Sequence, residues 1–73
     1  GGMMLKPLFV LRRQDGKYFD GWVSSQYGGD EHQTLWADDW KRACLLTTAE
    51  SLRNKRNLRD RGIEVRRKRV KPP

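Results

Sequence analysis

The sequence predicts a small α+β domain, a mostly antiparallel sheet with a helix packed on one side. Three observations predict it. Asp15-Gly16 separates two aromatic and apolar runs, the strongest short-range signal for a β-hairpin. Thr47 and Glu50 stand at the S/T-x-x-E spacing of a capping box, which opens a helix. Ile63-Glu64-Val65-Arg66 alternates apolar and polar residues, as a half-buried strand does. The expected order is strand, strand, short helix, strand, helix, strand.

The first strand is Leu8-Phe9-Val10-Leu11, preceded by Pro7, a residue tolerated at a strand start. A two-residue Asp15-Gly16 loop would set Gln14 opposite Lys17 and fix the register of Lys17-Tyr18-Phe19-Asp20-Gly21-Trp22-Val23. Arg12 then faces Phe19 and Val10 faces Gly21, while Arg13 with Tyr18 and Phe9 with Trp22 share the other side. Both sides carry apolar residues, so alternation leaves open which one is core. Ser24 to Gln33 reads as a loop holding Tyr27 and the lone His32.

Leu35-Trp36 makes a short strand or a strand-like entry to the next turn. Asp38 is read as a helix cap with Asp39 in the first turn. Trp40, Ala43 and Cys44 fall on one helical face. Leu45-Leu46-Thr47 reads as a short buried strand, so that this stretch wedges the hairpin against the following helix. That helix is expected from Ala49 to Arg61, with Gly62 just past its end and Arg59 and Arg61 at its negative pole. Its large apolar residues are Leu52 and Leu58, with Arg53, Arg56, Asn57 and Asp60 turned outward. The last strand is expected to fray into a basic tail over residues 67–73.

Seventy-three residues suit one domain, expected over residues 3–71. Gly1-Gly2 reads as an expression-tag remnant. No apolar run approaches the roughly 18 residues of a membrane span, and no secretory signal is recognisable, so a cytoplasmic protein is expected. Cys44 is the single cysteine, which excludes an internal disulfide and suits a reducing compartment. Residues 1–40 hold four Lys/Arg against six Asp/Glu, and residues 41–73 hold twelve against three. The halves therefore carry −2 and +9 of a net +7, and such asymmetry points to an anionic partner.

The candidate partner-binding residues are Arg53, Arg56, Arg59 and Arg61 of the helix and Arg66, Arg67, Lys68 and Arg69 of the strand and tail. Closely spaced guanidinium groups suit phosphates because each planar fork binds two oxygens. Phe9, Tyr18 and Trp22 are a second candidate, an aromatic platform for stacking bases if they share an open face. Chemistry has less support. Asp38-Asp39 is accounted for by capping, and Asp30-Glu31 has no third ligand beside it. His32 stands apart from any ligand pattern, and Cys44 sits on an expected core face without a base nearby. The expectation is a non-enzymatic binding module with no catalytic residue, cofactor or metal, and with nucleic acid as its partner.

Asp15-Gly16-Lys17-Tyr18-Phe19, Trp36-Ala37-Asp38-Asp39, Thr47-Thr48-Ala49-Glu50 and Gly62-Ile63-Glu64-Val65 together resemble a pattern found in short proteins encoded by bacteriophages and prophages. The resemblance covers about residues 8–66 and lies in fold-determining positions. It implies a second kind of partner, since some small phage proteins bind and inhibit host machinery or host defence. Arginines and a tryptophan docking on an acidic protein surface would be its form here. The arginine-rich helix and tail are heavier than the resemblance requires.

Overall fold

The computed structural model describes residues 6–24 and 32–71. It contains strands β1 (Leu8–Arg13), β2 (Tyr18–Ser24) and β3 (His32–Ala37), a 3₁₀ turn (Trp40–Arg42), helix α1 (Thr48–Asp60) and strand β4 (Val65–Val70). The strands form one antiparallel sheet in the order β3-β2-β1-β4, and α1 packs on β1 and β4. The small α+β fold is as the sequence predicts. The loop after β2 is shorter than expected, since His32 and Gln33 already belong to β3. Tyr27, Asp30 and Glu31 lie outside the described residues.

The hairpin loop has three residues, which corrects the two-residue reading. Arg13 N–H donates to Lys17 O at 2.7 Å, and Gly16 N–H donates to Arg13 O at 2.9 Å. Only Gly16 takes a positive φ, +93°, the geometry of a type I turn closed by a left-handed glycine. Asp15 keeps a negative φ and uses its carboxylate instead, accepting from Lys17 N–H at 3.3 Å and from the Arg13 guanidinium at 2.6–2.8 Å. The extra loop residue slips the register by one, so Tyr18 lies opposite Arg12 rather than Arg13. A slip of one exchanges the faces of a strand. Leu11 and Phe19 consequently meet in the core.

Beyond this turn β1 and β2 part, and the chain after the 3₁₀ turn fills the gap. Cys44 N–H donates to Phe19 O at 3.0 Å. Phe9 N–H donates to Leu46 O at 2.8 Å, and Leu46 N–H returns the bond to Phe9 O at 2.9 Å. Leu45–Thr47 is therefore a single bridge at Leu46 rather than a strand. Ala43 and Leu46 are buried, whereas Trp40 is half-buried and Leu45 exposed. The cap of the 3₁₀ turn is Asp39, which accepts from Lys41 N–H at 3.1 Å. Asp38, expected in that role, instead pairs with Lys17 across the turn.

A β-bulge redirects Trp22. Phe19 faces Trp36, Gly21 faces Leu35 and Trp22 faces Thr34, so Asp20 is the extra residue on β2. In a regular strand Phe19 and Trp22 would point to opposite faces. The bulge puts both on the helix side, in edge-to-face contact with centroids 5.3 Å apart. Trp36 meets Phe19 from β3 at 6.3 Å. Gly21 has φ +121°, a conformation side chains rarely adopt.

Helix α1 opens with the full capping box: Glu50 N–H donates to Thr47 Oγ1, and Thr47 N–H donates to the Glu50 carboxylate. It closes in a Schellman motif, with Ile63 N–H to Leu58 O, Gly62 N–H to Arg59 O and Gly62 at φ +80°. Its inward residues are Leu58 and Ser51, both fully buried. Leu52, expected on the helix's thin apolar face with Leu58, is half exposed at 51%. Residues seven apart lie almost on one line of a helix, so the Ser51–Leu58 line that faces the sheet turns Leu52 outward. The core is Leu11, Phe19, Leu46, Leu58 and Val65, flanked by Trp22, Trp36, Cys44 and Ile63. Val10 and Ala37 are also buried. Pairing places them on the far face with Tyr18 and Arg12, so neither face of the sheet is bare. The start of the expected tail, Arg67 to Val70, is the body of β4.

Gly21→Ala should destabilise the domain by about 1–3 kcal/mol, the cost of holding a side chain in that backbone region. Nothing crowds the position, so the loss is backbone strain. Urea denaturation followed by tryptophan emission should show a lower midpoint. An unchanged midpoint would mean that the bulge does not need a glycine.

Candidate functional site

The basic residues sort into three groups by what their side chains touch. The first group covers aromatic rings. Arg13 lies over Trp36 at 4.4 Å, Arg61 over Trp22 at 4.9 Å and Arg67 over Phe9 at 4.4 Å, distances at which a guanidinium is attracted to the ring face. Arg13 and Arg67 each have a further role. Arg13 clamps Asp15, and Arg67 Nε donates to the buried Ser51 Oγ at 2.9 Å. Ser51 Oγ in turn donates to Thr48 O at 2.8 Å. Trp22 is anchored at its other end, where its indole N–H donates to Asn54 Oδ1 at 2.8 Å. Asn54 is oriented by donating to Glu50 O.

These contacts decide the fate of the aromatic platform. Phe9 and Trp22 point to the helix side, while Tyr18 points to the far face beside Arg12. The three residues share no open face. The one-residue register slip separates Tyr18 from Phe9, and the bulge carries Trp22 under the helix.

The second group lines a groove of about 610 Å³ between the C-terminal half of α1 and the ends of β1 and β4. Lys55 and Arg59 come from the helix and Arg13 from β1, with Glu64 as the single acidic residue; Arg12 and Arg66 border the groove from the strands, but their pairing with each other and with Tyr18 turns their side chains to the far face of the sheet. Lys55 and Arg59 are one helical turn apart, and so are neighbours on the helix surface. Arg12 and Arg66 are directly opposed on adjacent antiparallel strands. Among the described residues Arg12, Lys55, Arg59 and Arg66 form no ion pair with a carboxylate. All four are exposed.

The third group is distributed. Arg53 and Arg56 are exposed on α1, and Lys68 and Arg69 are exposed on β4. The helix and strand residues expected to bind a partner thus divide. Arg59 lines the groove, Arg66 lies with Arg12 on the far face, Arg61 and Arg67 brace aromatic rings, and the remainder are exposed on α1 and β4. Arg12 was assigned no role by sequence reasoning. Its signal is cross-strand and exists only once β4 is paired with β1.

Acid–base chemistry is organised around structure. The Arg13 guanidinium, by hydrogen bonding, pulls the Asp15 carboxyl down to about 2. Hydrogen bonds from Thr47 lower Glu50, and Lys17 lowers Asp38. Burial, with smaller contributions from the carboxylates of Glu50 and Asp20, raises the Cys44 thiol, which disfavours the reactive thiolate. Among the described residues no three of His, Cys, Asp and Glu gather as metal ligands. No helix among them is long and apolar enough to cross a membrane. Compared with protein-family models, curated proteins and solved structures, the chain matches none.

The Arg13–Asp15 clamp gives a titration test. Asp15 should titrate near 2 in a carboxyl-detected NMR experiment, and Arg13→Ala should return it toward its ordinary 3.8. The folded-state value is the depressed one. The clamp therefore supports folding fully above the unfolded value of 3.8 and loses that support as pH falls through about 2. An Asp15 midpoint that ignores the Arg13 substitution would dismiss the clamp.

Proposed function

We propose that this chain is a non-enzymatic binding module whose basic groove holds an anionic polymer, with nucleic acid as the partner class. The observation that carries the reading is the gathering of exposed cations at one end of the domain: Lys55 and Arg59 beside the groove on α1 and, on the far face of the sheet, the directly opposed Arg12 and Arg66. Like charges set opposite each other on a sheet are destabilising. The opposed pair is tolerable because both side chains are exposed, and it becomes favourable once a phosphate binds it. Guanidinium forks bind phosphate oxygens two at a time, and each neutralised phosphate releases condensed counterions. Arg53, Arg56, Lys68 and Arg69 extend the positive field on either side and would speed encounter.

A second reading rests on a separate observation. Leu52 is half exposed beside Arg53 and one turn before Arg56. An apolar residue set among arginines suits an acidic protein surface with a small apolar pocket. The phage-type resemblance favours such a partner, a host factor held and modulated.

On a nucleic-acid probe, log affinity should fall linearly with log salt, and Arg59→Ala and Arg66→Ala should each reduce the slope by about 0.9. Fluorescence anisotropy over a salt series measures this. A slope unchanged in the double variant would remove the groove from the interface. Leu52→Ser should leave that binding untouched; if it abolishes capture of a partner from nuclease-treated lysate, the protein-surface reading is the better one.

A further inference from the structure

A sheet ordered β3-β2-β1-β4 ends in two edges. An edge strand presents a row of N–H and C=O groups to any chain able to pair with them. Which groups β4 presents follows from β1. In an antiparallel pair the N–H and C=O of one residue point to the same side, and that side alternates along the strand. Phe9 N–H and C=O both bond Leu46, while Arg13 N–H donates to Lys17 and Arg13 C=O accepts from Gly16. Phe9, Leu11 and Arg13 therefore turn their backbone groups away from β4, and Leu8, Val10 and Arg12 turn theirs toward it. Val70, Lys68 and Arg66 are the partners that complete this ladder. Val65, Arg67 and Arg69 are left with N–H and C=O directed outward. Among the described residues these outward backbone groups have no hydrogen-bond partner.

Helix α1 brings an apolar residue to the same side. Asn54 and Arg61 reach Trp22 of β2. Lys55 and Arg59 lie on the opposite flank of the helix, beside Val65 and Arg66 of β4. Leu52 stands seven residues before Arg59 and so lies almost on one line with it. It is exposed, and its neighbour Ser51 meets Arg67. On β4 itself, Arg67 and Arg69 project to the helix side with Phe9, and Arg66 and Lys68 project to the far side.

Charge decides what can occupy this edge. A second copy pairing antiparallel about Arg67 would set Arg67 against Arg67 and Arg66 against Lys68. Like charges directly opposed are destabilising, and opposite charges in the same places are stabilising. The other edge, β3, carries neither lysine nor arginine, so selection by charge belongs to β4. From the outward backbone groups of Val65, Arg67 and Arg69, the exposed Arg66 and Lys68 and the exposed Leu52, we infer that β4 takes an acidic extended peptide as a fifth strand. Main-chain hydrogen bonds hold it. Its acidic side chains pair with Arg66 and Lys68 on the far side, and its apolar ones meet Leu52 on the helix side. The recognised feature is the alternation of acidic and apolar residues. This site goes beyond both readings above, since backbone groups rather than side-chain charge alone hold the partner.

The test titrates the whole chain with a synthetic peptide of about six residues alternating Glu and Val, and follows amide hydrogen exchange by NMR. In the free chain the Arg66, Lys68 and Val70 amides should be protected, and those of Arg67 and Arg69 should exchange rapidly. Near saturation the Arg67 and Arg69 amides should slow about tenfold. The same peptide with its ladder-facing nitrogens methylated keeps its charge and should bind about tenfold more weakly. Arg69→Pro removes an outward N–H without touching the ladder to β1. It should weaken the peptide about tenfold relative to Arg69→Ala, with far-UV circular dichroism native in both. Leu52→Ser should weaken it about fivefold. Equal binding of the methylated peptide, or protection of neither amide, would overturn strand addition. Protection of both amides in the free chain that deepens with protein concentration would give the edge to a second copy and overturn the peptide. The same protection produced by a DNA duplex would overturn it too, because phosphates accept from N–H groups but offer nothing to the outward carbonyls. Failure of the peptide leaves the nucleic-acid reading standing, since that reading is measured by its salt slope.

Discussion

The reciprocal pair of backbone hydrogen bonds between Phe9 and Leu46 is the constraint on which the arrangement depends. It fastens the chain to β1 one residue before Thr47, the residue that caps α1. A helix pinned at its first residue has little freedom left except the direction of its axis. Leu58, fully buried against the core, sets that direction. With both ends placed, Ser51 meets Arg67, and Lys55 and Arg59 come to line the groove beside β1 and β4. The bridge exists because β1 and β2 part after the hairpin turn, leaving backbone groups that must find partners once buried. Leu46 and Cys44 supply them.

A domain of this size has little core to spend on side chains outside its sheet–helix interface, and its aromatics show how the core is enlarged. Phe19, Trp22 and Trp36 reach the same side only because of the bulge at Asp20-Gly21. Arginines then seal the rings that a single helix cannot cover, laying their guanidinium groups over the ring faces. The basic composition therefore has two origins. Arg13, Arg61 and Arg67 belong to the packing, and their charge is a by-product of covering rings. Arg12, Lys55, Arg59 and Arg66 cover none of these rings, stay exposed and form no ion pair with a carboxylate among the described residues.

Much of this was legible in the residues. Thr47, Glu50 and Gly62 mark α1 within a residue, because capping depends on side chains and φ angles close together in sequence. The hairpin was legible as an element but misread in register. Asp15-Gly16 satisfies both the two-residue and the three-residue loop, and the Arg13–Asp15 clamp tips the choice. Leu52 belongs with Leu58 to the apolar residues of α1, yet the buried line passes through Ser51, where a small side chain lets the helix approach and receive Arg67. The separation of Tyr18 from Phe9 and Trp22 follows from the same register slip and from the bulge.

By itself the sequence determined the α+β class, the limits of the main helix, the hairpin and the concentration of positive charge in residues 41–73. Each is encoded by neighbours along the chain or by composition, and needs no knowledge of what lies across space. The tertiary structure decided which arginines are free. That choice turns on strand order, since β4 pairs with β1 and so brings Arg66 to Arg12 across more than fifty residues of chain. It also turns on the bulge, which carries Trp22 to the helix side under Arg61. Residues so far apart in sequence carry no local signal of their meeting, because only the closure of the sheet brings them together.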